Sequence, residues 1–473
     1  MRLGARFIAI TLPGFLFLRV AAQSSTASAA LSQSTLPVGS CTADIPCSNG
    51  ACCNSESGYC GYGAPFCTTV ADGGPCTSNC DAKAQCGPNA PAGEEDCPLK
   101  VCCSQFGFCG TTEDFCGTGC QSNCNPAVTA SCGADQQSAL NRRIGYYEGW
   151  AAARSCDAWT PSTMNVDSLT HLNFAFAYIS SSFEVIEMTP GDSSLWTETT
   201  ALKSRNPALK VFLSIGGWTF NDAPTSGIFS ALAASESNTQ TFIKSVLSVM
   251  NAYGFDGIDI DWEYPVAEDR GGSVGDLANY PTFLKAIKTA FGPFDYGLSF
   301  TAPSSYWYLQ NYDLPALLAD GVADWVNVMT YDLHGVWDSP ADYIGSIVLA
   351  HTNLTEIELT FQLYANVGID PSKITMGIGF YGRSFELVSA SCSDPGCPFA
   401  GAAPAGPCSA NPGTLMYTEI EDILASVGNS TNQLVFDEAA AVKYLVYNTI
   451  DWVSFDDQQT LGMKLQYANG ICL

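Results

Sequence analysis

The ten residues 256–265, DGIDIDWEYP, carry three carboxylates spaced two residues apart: Asp259, Asp261 and Glu263. The residues between them are apolar, and the side chains of a β-strand alternate between its two faces. A strand here therefore places all three acids on one face, with neighbouring carboxylates about 6–7 Å apart. Acids that close repel one another, so at least one is expected to keep its proton near neutral pH, as a general acid requires.

Two other interpretations of this acidic face are a solvated surface and a site for Mg²⁺ or Ca²⁺. A solvated face does not account for Gly254 and Gly257, for the aromatic Phe255 and Trp262, or for the stop at Pro265. These residues indicate a buried strand that ends at a site. We therefore expect a site for proton transfer here, with a metal site as the less favoured alternative.

The size and charge of the chain limit its partners. At 473 residues it is too long for one small domain, and two or three units are expected. The net charge is −27. Nucleic acids and anionic membranes repel such a protein, so neither is an expected partner, and an uncharged or cationic substrate is favoured.

The N-terminus has the pattern of a secretion signal. Arg2 and Arg6 precede an apolar stretch and then small residues that offer a cleavage site. We expect a signal peptide over residues 1–22 and a flexible leader, rich in Ser, Thr and Ala, over residues 23–40. The apolar stretch is too short to span a bilayer. The expected product is a secreted, extracellular and monomeric protein.

The cysteines are concentrated near the N-terminus, where sixteen of the 22 lie between Cys41 and Cys124. They form two sets of eight, which indicates an internal duplication over residues 41–82 and 83–126. Units this small bury little apolar area, so disulfides must stabilise them. Zinc binding is the other use of clustered cysteines, and it is disfavoured because neither set contains a histidine.

Residues 127–142 are predicted to be a linker, and from residue 143 the sequence changes to an α/β pattern. Seven strand-like runs alternate with helical stretches, at 143–150, 169–179, 209–218, 254–265, 296–305, 325–333 and 374–383. The alternation predicts parallel strands, and their number favours a (β/α)8 TIM barrel. Active sites in such barrels lie at the C-terminal ends of the strands, where the carboxylate run also ends.

The second cysteine-rich unit contains VCCSQFGFCGTTEDFC, which resembles the hevein-type (type 1) chitin-binding module in cysteine spacing and aromatic positions. The resemblance implies a sugar-binding face made of Ser104, Phe106, Phe108 and Phe115, with pyranose rings stacked on the aromatic rings. The alternative is that these aromatic residues fill a small core, but disulfides already occupy that core. The resemblance also implies four disulfides: Cys86–Cys103, Cys97–Cys109, Cys102–Cys116 and Cys120–Cys124.

The first unit, ACCNSESGYCGYGAPFC, is a looser match to the same module. Tyr59 and Phe66 keep two of the three aromatic positions, and Ser57 replaces the third. We therefore expect this unit to bind sugar more weakly than the second.

The carboxylate run matches the DxxDxDxE signature of family 18 glycoside hydrolases, the chitinases. SIGGW at 214–218, MTYD at 329–332 and FYGR at 380–383 match further motifs of the family in the expected order. The resemblance covers about residues 143–473. It implies hydrolysis of β-1,4-linked N-acetylglucosamine polymers, chitin and chitooligosaccharides, by a retaining mechanism without a cofactor.

The resemblance implies a role for each acid. Glu263 protonates the glycosidic oxygen, while the N-acetyl group of the substrate replaces the carboxylate nucleophile of other retaining enzymes. Asp261 holds the acetamide N–H, Asp259 shares a proton with Asp261, and Tyr331 binds the acetamide oxygen. Asp256 supports the turn or the hydrogen-bond network.

Other residues are expected to line the sugar site. Asp332 and Arg383 do so by the same resemblance. Gly216 and Gly217 can in principle cradle a phosphate, but no GxGxxG or P-loop pattern surrounds them, so close backbone packing beside the acidic strand is expected. Four aromatic residues are candidate stacking surfaces, with ordinary packing as the alternative: Trp150, Trp218, Tyr306 and Trp307.

The resemblance breaks off near the end of the sequence. The family has an eighth strand after the last helix, with a Trp under the sugar, whereas this sequence ends YANGICL. WVSFDD at 452–457 precedes that helix and is not the missing strand. We therefore expect a C-terminally truncated barrel with an open seam between its first and seventh strands.

Two functions stay open. One is a secreted chitinase, and the other is a catalytically defective, lectin-like chitin-binding protein. A third, an endo-N-acetylglucosaminidase acting on glycoproteins, is disfavoured by the chitin-binding modules.

Overall fold

The computed structural model describes residues 39–133, 137–339, 344–427 and 434–473. The predicted signal peptide and nearly all of the predicted leader lie outside the described residues. The chain divides into two compact units, Met1–Lys83 and Ala84–Leu473. The second cysteine-rich segment therefore belongs to the same unit as the α/β region.

The first unit is a three-stranded antiparallel sheet held together by disulfides. β1 (Cys52–Asn54) lies between β2 (Tyr59–Gly61) and β3 (Cys76–Ser78), and the helical turn α1 (Ala64–Cys67) follows β2. The buried core consists of Ala51 and cysteine side chains, as expected for a unit too small for an apolar core. The disulfides are Cys41–Cys53, Cys47–Cys60, Cys52–Cys67 and Cys76–Cys80.

The second cysteine-rich segment has a similar plan. β4 (Cys102–Cys103) pairs with β5 (Cys109–Gly110), and α2 (Glu113–Cys116) follows. Its disulfides are the same four pairs that the resemblance implies: Cys86–Cys103, Cys97–Cys109, Cys102–Cys116 and Cys120–Cys124.

Seven parallel strands form the main sheet, the number that the sequence predicts. Each pairs in parallel with the next, while one short strand, β8, pairs antiparallel with β7. Among the described residues no ladder joins β6 to β13, so the sheet is an open path. The strands are β6 (Ile144–Glu148), β7 (His171–Ile179), β8 (Val185–Glu187), β9 (Lys210–Gly216), β10 (Gly257–Asp261), β11 (Gly297–Pro303), β12 (Trp325–Met329) and β13 (Ile374–Met376).

Helices connect these strands and cover the outside of the sheet. The longest, α5, is capped at its N-terminus by Ser235, whose Oγ accepts from the Asn238 N–H, and at its C-terminus by Gly254 with φ 80°. Its apolar face is buried in the main hydrophobic core. The helices are α3 (Asp192–Ala201), α4 (Ile228–Ala233), α5 (Glu236–Tyr253), α6 (Asp276–Phe291), α7 (Tyr306–Leu309), α8 (Leu314–Leu317) and α9 (Leu354–Asn366).

The predicted seventh strand, 374–383, is too long. β13 ends at Met376, and a Cβ on Gly377 would meet the Val328 backbone oxygen at 2.5 Å. Glycine also weakens strand structure, and two follow within six residues. The chain therefore leaves the main sheet, and Tyr381 begins a strand of another sheet.

That second sheet is antiparallel and is inserted between β13 and the last helix. WVSFDD, at 452–457, falls mainly on its strand β19, which confirms that this run is not a barrel strand. The elements are β14 (Tyr381–Leu387), β15 (Phe399–Ala402), β16 (Thr414–Met416), α10 (Tyr417–Val427), β17 (Leu434–Asp437), β18 (Val442–Tyr447), β19 (Asp451–Phe455) and α11 (Gln458–Gly470). Cys392–Cys397 is a disulfide within this region, and Cys156–Cys408 joins the region to the segment between β6 and β7.

The second cysteine-rich segment packs directly on the α/β region. Its 3₁₀ turn Pro98–Lys100 lies against α9, and Leu99 is buried in the core that includes Phe361. The side-chain amide of Gln362 donates to the Ala127 backbone oxygen at 2.6 Å. The predicted linker 127–142 thus lies partly against α9.

The same predicted linker also contacts α11. The Cys132 N–H donates to the Gly470 oxygen at 2.8 Å, and the Ala139 N–H donates to Asn469 Oδ1 at 3.0 Å. A disulfide, Cys132–Cys472, joins this predicted linker to the residues after α11, across 340 residues of sequence.

The same hydrogen-bonding arrangement around an aspartate occurs at the start of two strands of the main sheet. Asp256, just before β10, accepts from the Val211 N–H at 2.8 Å and from Lys203 Nζ at 3.0 Å. Asp324, just before β12, accepts in the same way from the Leu298 N–H at 2.8 Å and from a lysine. Asp256 therefore supports the N-terminal edge of the sheet, opposite the end at which Glu263 lies.

A buried ion pair connects the second sheet to α11. Lys464 Nζ binds Asp456 Oδ1, and both side chains are almost fully buried. Thr460 Oγ1 donates to the same oxygen at 2.7 Å. Removing one partner of such a pair leaves a buried charge uncompensated, whereas removing both does not.

We predict that Lys464→Met lowers the free energy of unfolding by about 3–5 kcal/mol, because it leaves Asp456 unpaired. The double variant Lys464→Met/Asp456→Leu should regain most of that loss. Urea denaturation of the three proteins at one pH measures the difference. An equal loss in the single and double variants would show that the ion pair is not the reason.

Candidate active site

The three acids of the carboxylate run lie together at the C-terminal end of β10. Asp259 and Asp261 are on the strand, and Glu263 follows two residues after its end. Their exposed fractions are 0%, 5% and 7%. Ile258 and Ile260 lie in the apolar core. The alternation in the sequence therefore separates a buried polar side of β10 from a buried apolar side.

Asp259 accepts four hydrogen bonds, each from a different strand. Its Oδ2 accepts from the Tyr146 hydroxyl at 2.8 Å and from Ser214 Oγ at 2.9 Å. Its Oδ1 accepts from Ser299 Oγ at 2.6 Å and from Asn327 Nδ2 at 3.0 Å. Burial raises the pKa of Asp259, and the four donors oppose that effect.

Asp261 and Glu263 have fewer side-chain donors than Asp259, and both have raised pKa values. Thr301 Oγ1 donates to Asp261 Oδ1. Burial, followed by the charge of Asp259, raises the pKa of Asp261 to about 7. Burial and the neighbouring Asp261 raise the pKa of Glu263 well above its ordinary value. These directions agree with the proton expected from the sequence spacing.

The turn after β9 brings its backbone against the acidic strand. A Cβ on Gly216 would lie 2.2 Å from the Asp261 oxygen, and its φ of 118° also favours glycine. The Gly217 N–H donates to the same oxygen at 3.0 Å. The predicted role of this glycine pair, close backbone packing beside the acids, is confirmed.

A second polar cluster follows β12. Arg383 Nε and Nη2 bind the two carboxylate oxygens of Asp332 at 2.7 and 2.6 Å, and the Tyr381 hydroxyl donates to it at 2.6 Å. Burial alone would raise the pKa of Asp332, but hydrogen bonds from His351 and Arg383 lower it.

Tyr331 lies between this cluster and the acids. Its hydroxyl is influenced by the charges of Asp261, Glu263 and Asp332, and burial raises its pKa first. It therefore stays a neutral hydrogen-bond donor at physiological pH.

The four predicted stacking residues differ in exposure. Trp150, Trp218 and Trp307 are 40%, 53% and 68% exposed. Tyr306 instead packs against the main core, and its buried hydroxyl has no hydrogen-bond partner among the described residues. The structure thus leaves three of the four rings open to a ligand and favours the packing interpretation for Tyr306.

In the second cysteine-rich segment, three of the predicted sugar-binding residues lie at one tight turn, Ser104, Phe106 and Phe108, and Phe115 lies on α2. Phe106 is 62% exposed, whereas Phe108 and Phe115 are half-buried. Ser104 is buried, and its Oγ accepts from the Phe108 N–H at 3.2 Å. In the first unit Tyr59 is exposed and Phe66 packs on Gly61, as Phe115 packs on Gly110.

Several residues of the site are missing from the sequence predictions. The donors to Asp259 and Asp261 are Tyr146, Ser214, Ser299, Thr301 and Asn327. The available signal was a polar residue inside an apolar strand run, as in LSFTAP and WVNVM. Two further aromatic residues are exposed. Trp337 lies beside Arg383, and Phe380 directly precedes β14.

The described residues offer two groups of close potential metal ligands, Cys41, Cys47 and Cys60 and then Cys86, Cys97 and Cys103. All six are disulfide-bonded and are not available to a metal.

The chain is similar in sequence to known families and proteins. Models described as Glycosyl hydrolases family 18 and as Chitin recognition protein match residues 142–470 and 85–124. The chain is 32% identical over 432 residues to "Probable chitinase LysM18" of Penicillium expansum, covering 83% of this chain and 29% of that protein. It is 32% identical over 413 residues to "Secreted chitinase LysM12" of the same organism, covering 79% and 27%. The chain therefore spans less than a third of the length of these relatives.

A solved structure has a similar fold. The Group IV chitinase of Ostrinia furnacalis in complex with allosamidin is 30% identical, with a TM-score of 0.62, over 70% of this chain and 89% of that chain. The similarity shows that the matched part of this chain has the same fold as that structure.

We predict that Asp261→Asn reduces the pH dependence of stability. Because the pKa of Asp261 is about 7 in the folded protein and near 4 in an unfolded chain, the folded state binds the extra proton between those values. The free energy of unfolding should therefore fall as the pH rises from 5 to 7, by about 2–3 kcal/mol from this group. Urea denaturation at both pH values should show a fall smaller by that amount in the variant, and an unchanged fall would contradict the prediction.

Proposed function

The chain belongs to family 18 of the glycosyl hydrolases, and from that membership and its buried acids we propose that it is a secreted chitinase. The observation that carries the proposal is the pair Asp261 and Glu263 at the end of β10, both buried and with raised pKa values. The proposed substrates are chitin and chitooligosaccharides.

Glu263 is the proposed general acid. Its raised pKa keeps a proton available near neutral pH, and its place beyond the strand end puts it where barrel enzymes bind substrate. It donates that proton to the glycosidic oxygen as the bond to the anomeric carbon breaks. The resulting carboxylate then takes a proton from the water that completes hydrolysis.

The substrate's acetamide oxygen is the proposed nucleophile, and it forms an oxazolinium ion with the anomeric carbon. Asp261 has one side-chain donor, so it is free to accept the acetamide N–H. Asp259, with four donors, is the better place for a fixed negative charge. Tyr331, kept neutral by burial, donates to the acetamide oxygen and positions it.

Sugar rings are proposed to stack on Trp150, Trp218 and Trp307, which are exposed, while Asp332 and Arg383 form a rigid polar wall. The second cysteine-rich segment is proposed to bind chitin through Phe106, Phe108 and Phe115. The first is proposed as a weaker chitin-binding module through Tyr59 and Phe66. Two binding modules would raise the local concentration of the barrel on an insoluble polymer.

Secretion and a monomeric state are also part of the proposal. Eleven disulfides pair all 22 cysteines, which suits an oxidising compartment. In the part of the chain that the structure describes, no helix has the length and apolar character needed to cross a bilayer.

The second candidate function is chitin binding without catalysis. It is favoured by the open path of the main sheet, because the described residues contain no ladder between β6 and β13. Unpaired strand edges at that seam would loosen the sugar site.

We predict that the protein releases soluble sugar from chitooligosaccharides and that Glu263→Gln lowers the rate by about 10²–10⁴-fold, because the proton donor is lost. Chromatography of the products measures the release, and binding of the same oligosaccharide by the variant is the control. If the unaltered protein releases no more product than Glu263→Gln, while both still bind the oligosaccharide, the binding function is favoured.

We predict that Phe106→Ala weakens binding to insoluble chitin by about 2- to 10-fold through loss of stacking surface. Hydrolysis of short soluble oligosaccharides should not change. Phe294→Ala is a matched control because Phe294 is also exposed but lies outside the segment. The same loss in both variants in a chitin pull-down would argue against a sugar-binding role for Phe106.

A further inference from the structure

Arg270 is a buried cation beside the candidate active site that has no part in the chemistry above. It ends the 3₁₀ turn Glu268–Arg270 after β10 and is 6% exposed. Its Nε donates to the Glu263 backbone oxygen at 3.0 Å, and its Nη2 donates to the Trp218 backbone oxygen at 2.7 Å. Its Cζ also lies 3.7 Å from the centroid of the Trp218 ring.

Asp222 fixes the orientation of this guanidinium. Its Oδ1 accepts from Arg270 Nη1 at 2.5 Å. All three nitrogens of the planar group therefore have a partner, and a planar fork held at three points has little freedom to rotate. A lysine ammonium is a point charge and cannot reproduce the three directions.

Two glycines allow the loop that follows Arg270 to pack closely against neighbouring backbone. Gly271 has φ 75°, and a Cβ there would lie 2.6 Å from the Ser226 carbonyl carbon. A Cβ on Gly272 would lie 2.7 Å from backbone atoms of Val266 and Ala267. The sequence DRGG at 269–272 is therefore a tight fold of the loop around the arginine.

We propose that Arg270 is a positioning residue that holds the general acid Glu263 and the sugar-stacking Trp218 in one fixed relation. The inference rests on the proposed function, since it assigns those two roles. One rigid group touches the backbone of the acid and the ring of the tryptophan, so a sugar seated on Trp218 is held at a set distance from the proton donor.

The exposure of Trp218 fits this role. Arg270 covers the indole at cation–π distance, and 53% of the residue is still open to solvent. A ring held in place by the cation, with about half of its residue exposed, can stack a pyranose without rotating.

The charge of Arg270 also acts on Glu263. Burial and Asp261 raise the pKa of Glu263, whereas Arg270 lowers it. Loss of the cation should raise this pKa and move the alkaline limb of the pH–rate profile to higher pH, because the acid keeps its proton longer. The titratable and charged groups around the Glu263 carboxyl are Asp261, Asp332, Arg270, Tyr264, Tyr312 and Tyr331.

The experiment compares Arg270→Lys, Arg270→Met, Trp218→Ala and the double variant Arg270→Met/Trp218→Ala in the full chain. The readouts are kcat, KM and the pH–rate profile on a soluble chitooligosaccharide, with binding of the same sugar by calorimetry. Arg142→Met is the matched control, because Arg142 also lies over a tryptophan, at 5.0 Å from the Trp325 centroid, and donates to a backbone oxygen. Trp325 begins β12, at the end of the sheet opposite the acids.

We expect both Arg270 variants to lower kcat by about 10- to 100-fold, as small displacements of reacting groups do, and to raise KM. Arg270→Met should also shift the alkaline limb upward, whereas Arg270→Lys, which keeps the charge, should not. The effects of Arg270→Met and Trp218→Ala should not be additive. Kinetic constants and pH profiles like those of Arg142→Met would overturn the inference, even if stability falls.

Failure of the proposed function gives a different result. If the unaltered chain releases no sugar, the enzyme proposal fails, and the calorimetric data decide the inference. The sugar binding that is lost in Trp218→Ala is binding by the α/β region, as distinct from binding by the cysteine-rich segments. Weakening of that part by Arg270→Lys supports the positioning role, and unchanged binding overturns it.

Discussion

The buried carboxylate of Asp259 is the group on which the arrangement of the main sheet depends. A charge taken out of water needs donors for its oxygens, and here they come from β6, β9, β11 and β12. These hydrogen bonds fix the register of the four strands relative to β10. They thereby also fix the positions of the strand ends near Gly216 and Tyr331. Burial and then this charge raise the pKa of Asp261, and burial and then Asp261 raise that of Glu263. Asp259 therefore contributes, through Asp261, to keeping the proton on Glu263 at the C-terminal end of the sheet.

Sequence patterns predicted the local features of this arrangement and missed those created by distant contacts. The alternation in DGIDIDWEYP predicted acids on one side and apolar residues on the other, because that pattern is a property of a single strand. The hydrogen bond from Tyr146 to Asp259 joins residues 113 positions apart, with β7 and β9 between their strands, and only the curved sheet brings them together. The seventh strand was predicted too long because ITMGIGFYGR reads as one run, although β13 ends at Met376, where a glycine-rich stretch begins.

For the domains, too, the sequence predicted the local pattern of cysteines but not the long-range contacts of the segments. Cysteine spacing marked two similar segments, and each forms its own four disulfides. Nothing local distinguishes Leu99 from an ordinary apolar residue in such a segment, yet it enters the core shared with α9. Two segments with one cysteine plan therefore differ in how they join the rest of the chain: one is a compact unit with its own disulfide core, and the other is part of a larger unit.

The disulfide between Cys132 and Cys472 turns the α/β region into a covalent ring of the chain. In a ring, cutting one peptide bond yields no separate pieces. A protease that cleaves any one exposed loop between these cysteines leaves both fragments attached, and the packed core can hold them in place. For the secreted protein proposed above, nicking and loss of structure would then be separate events, and only a second cut or a reductant would release a fragment.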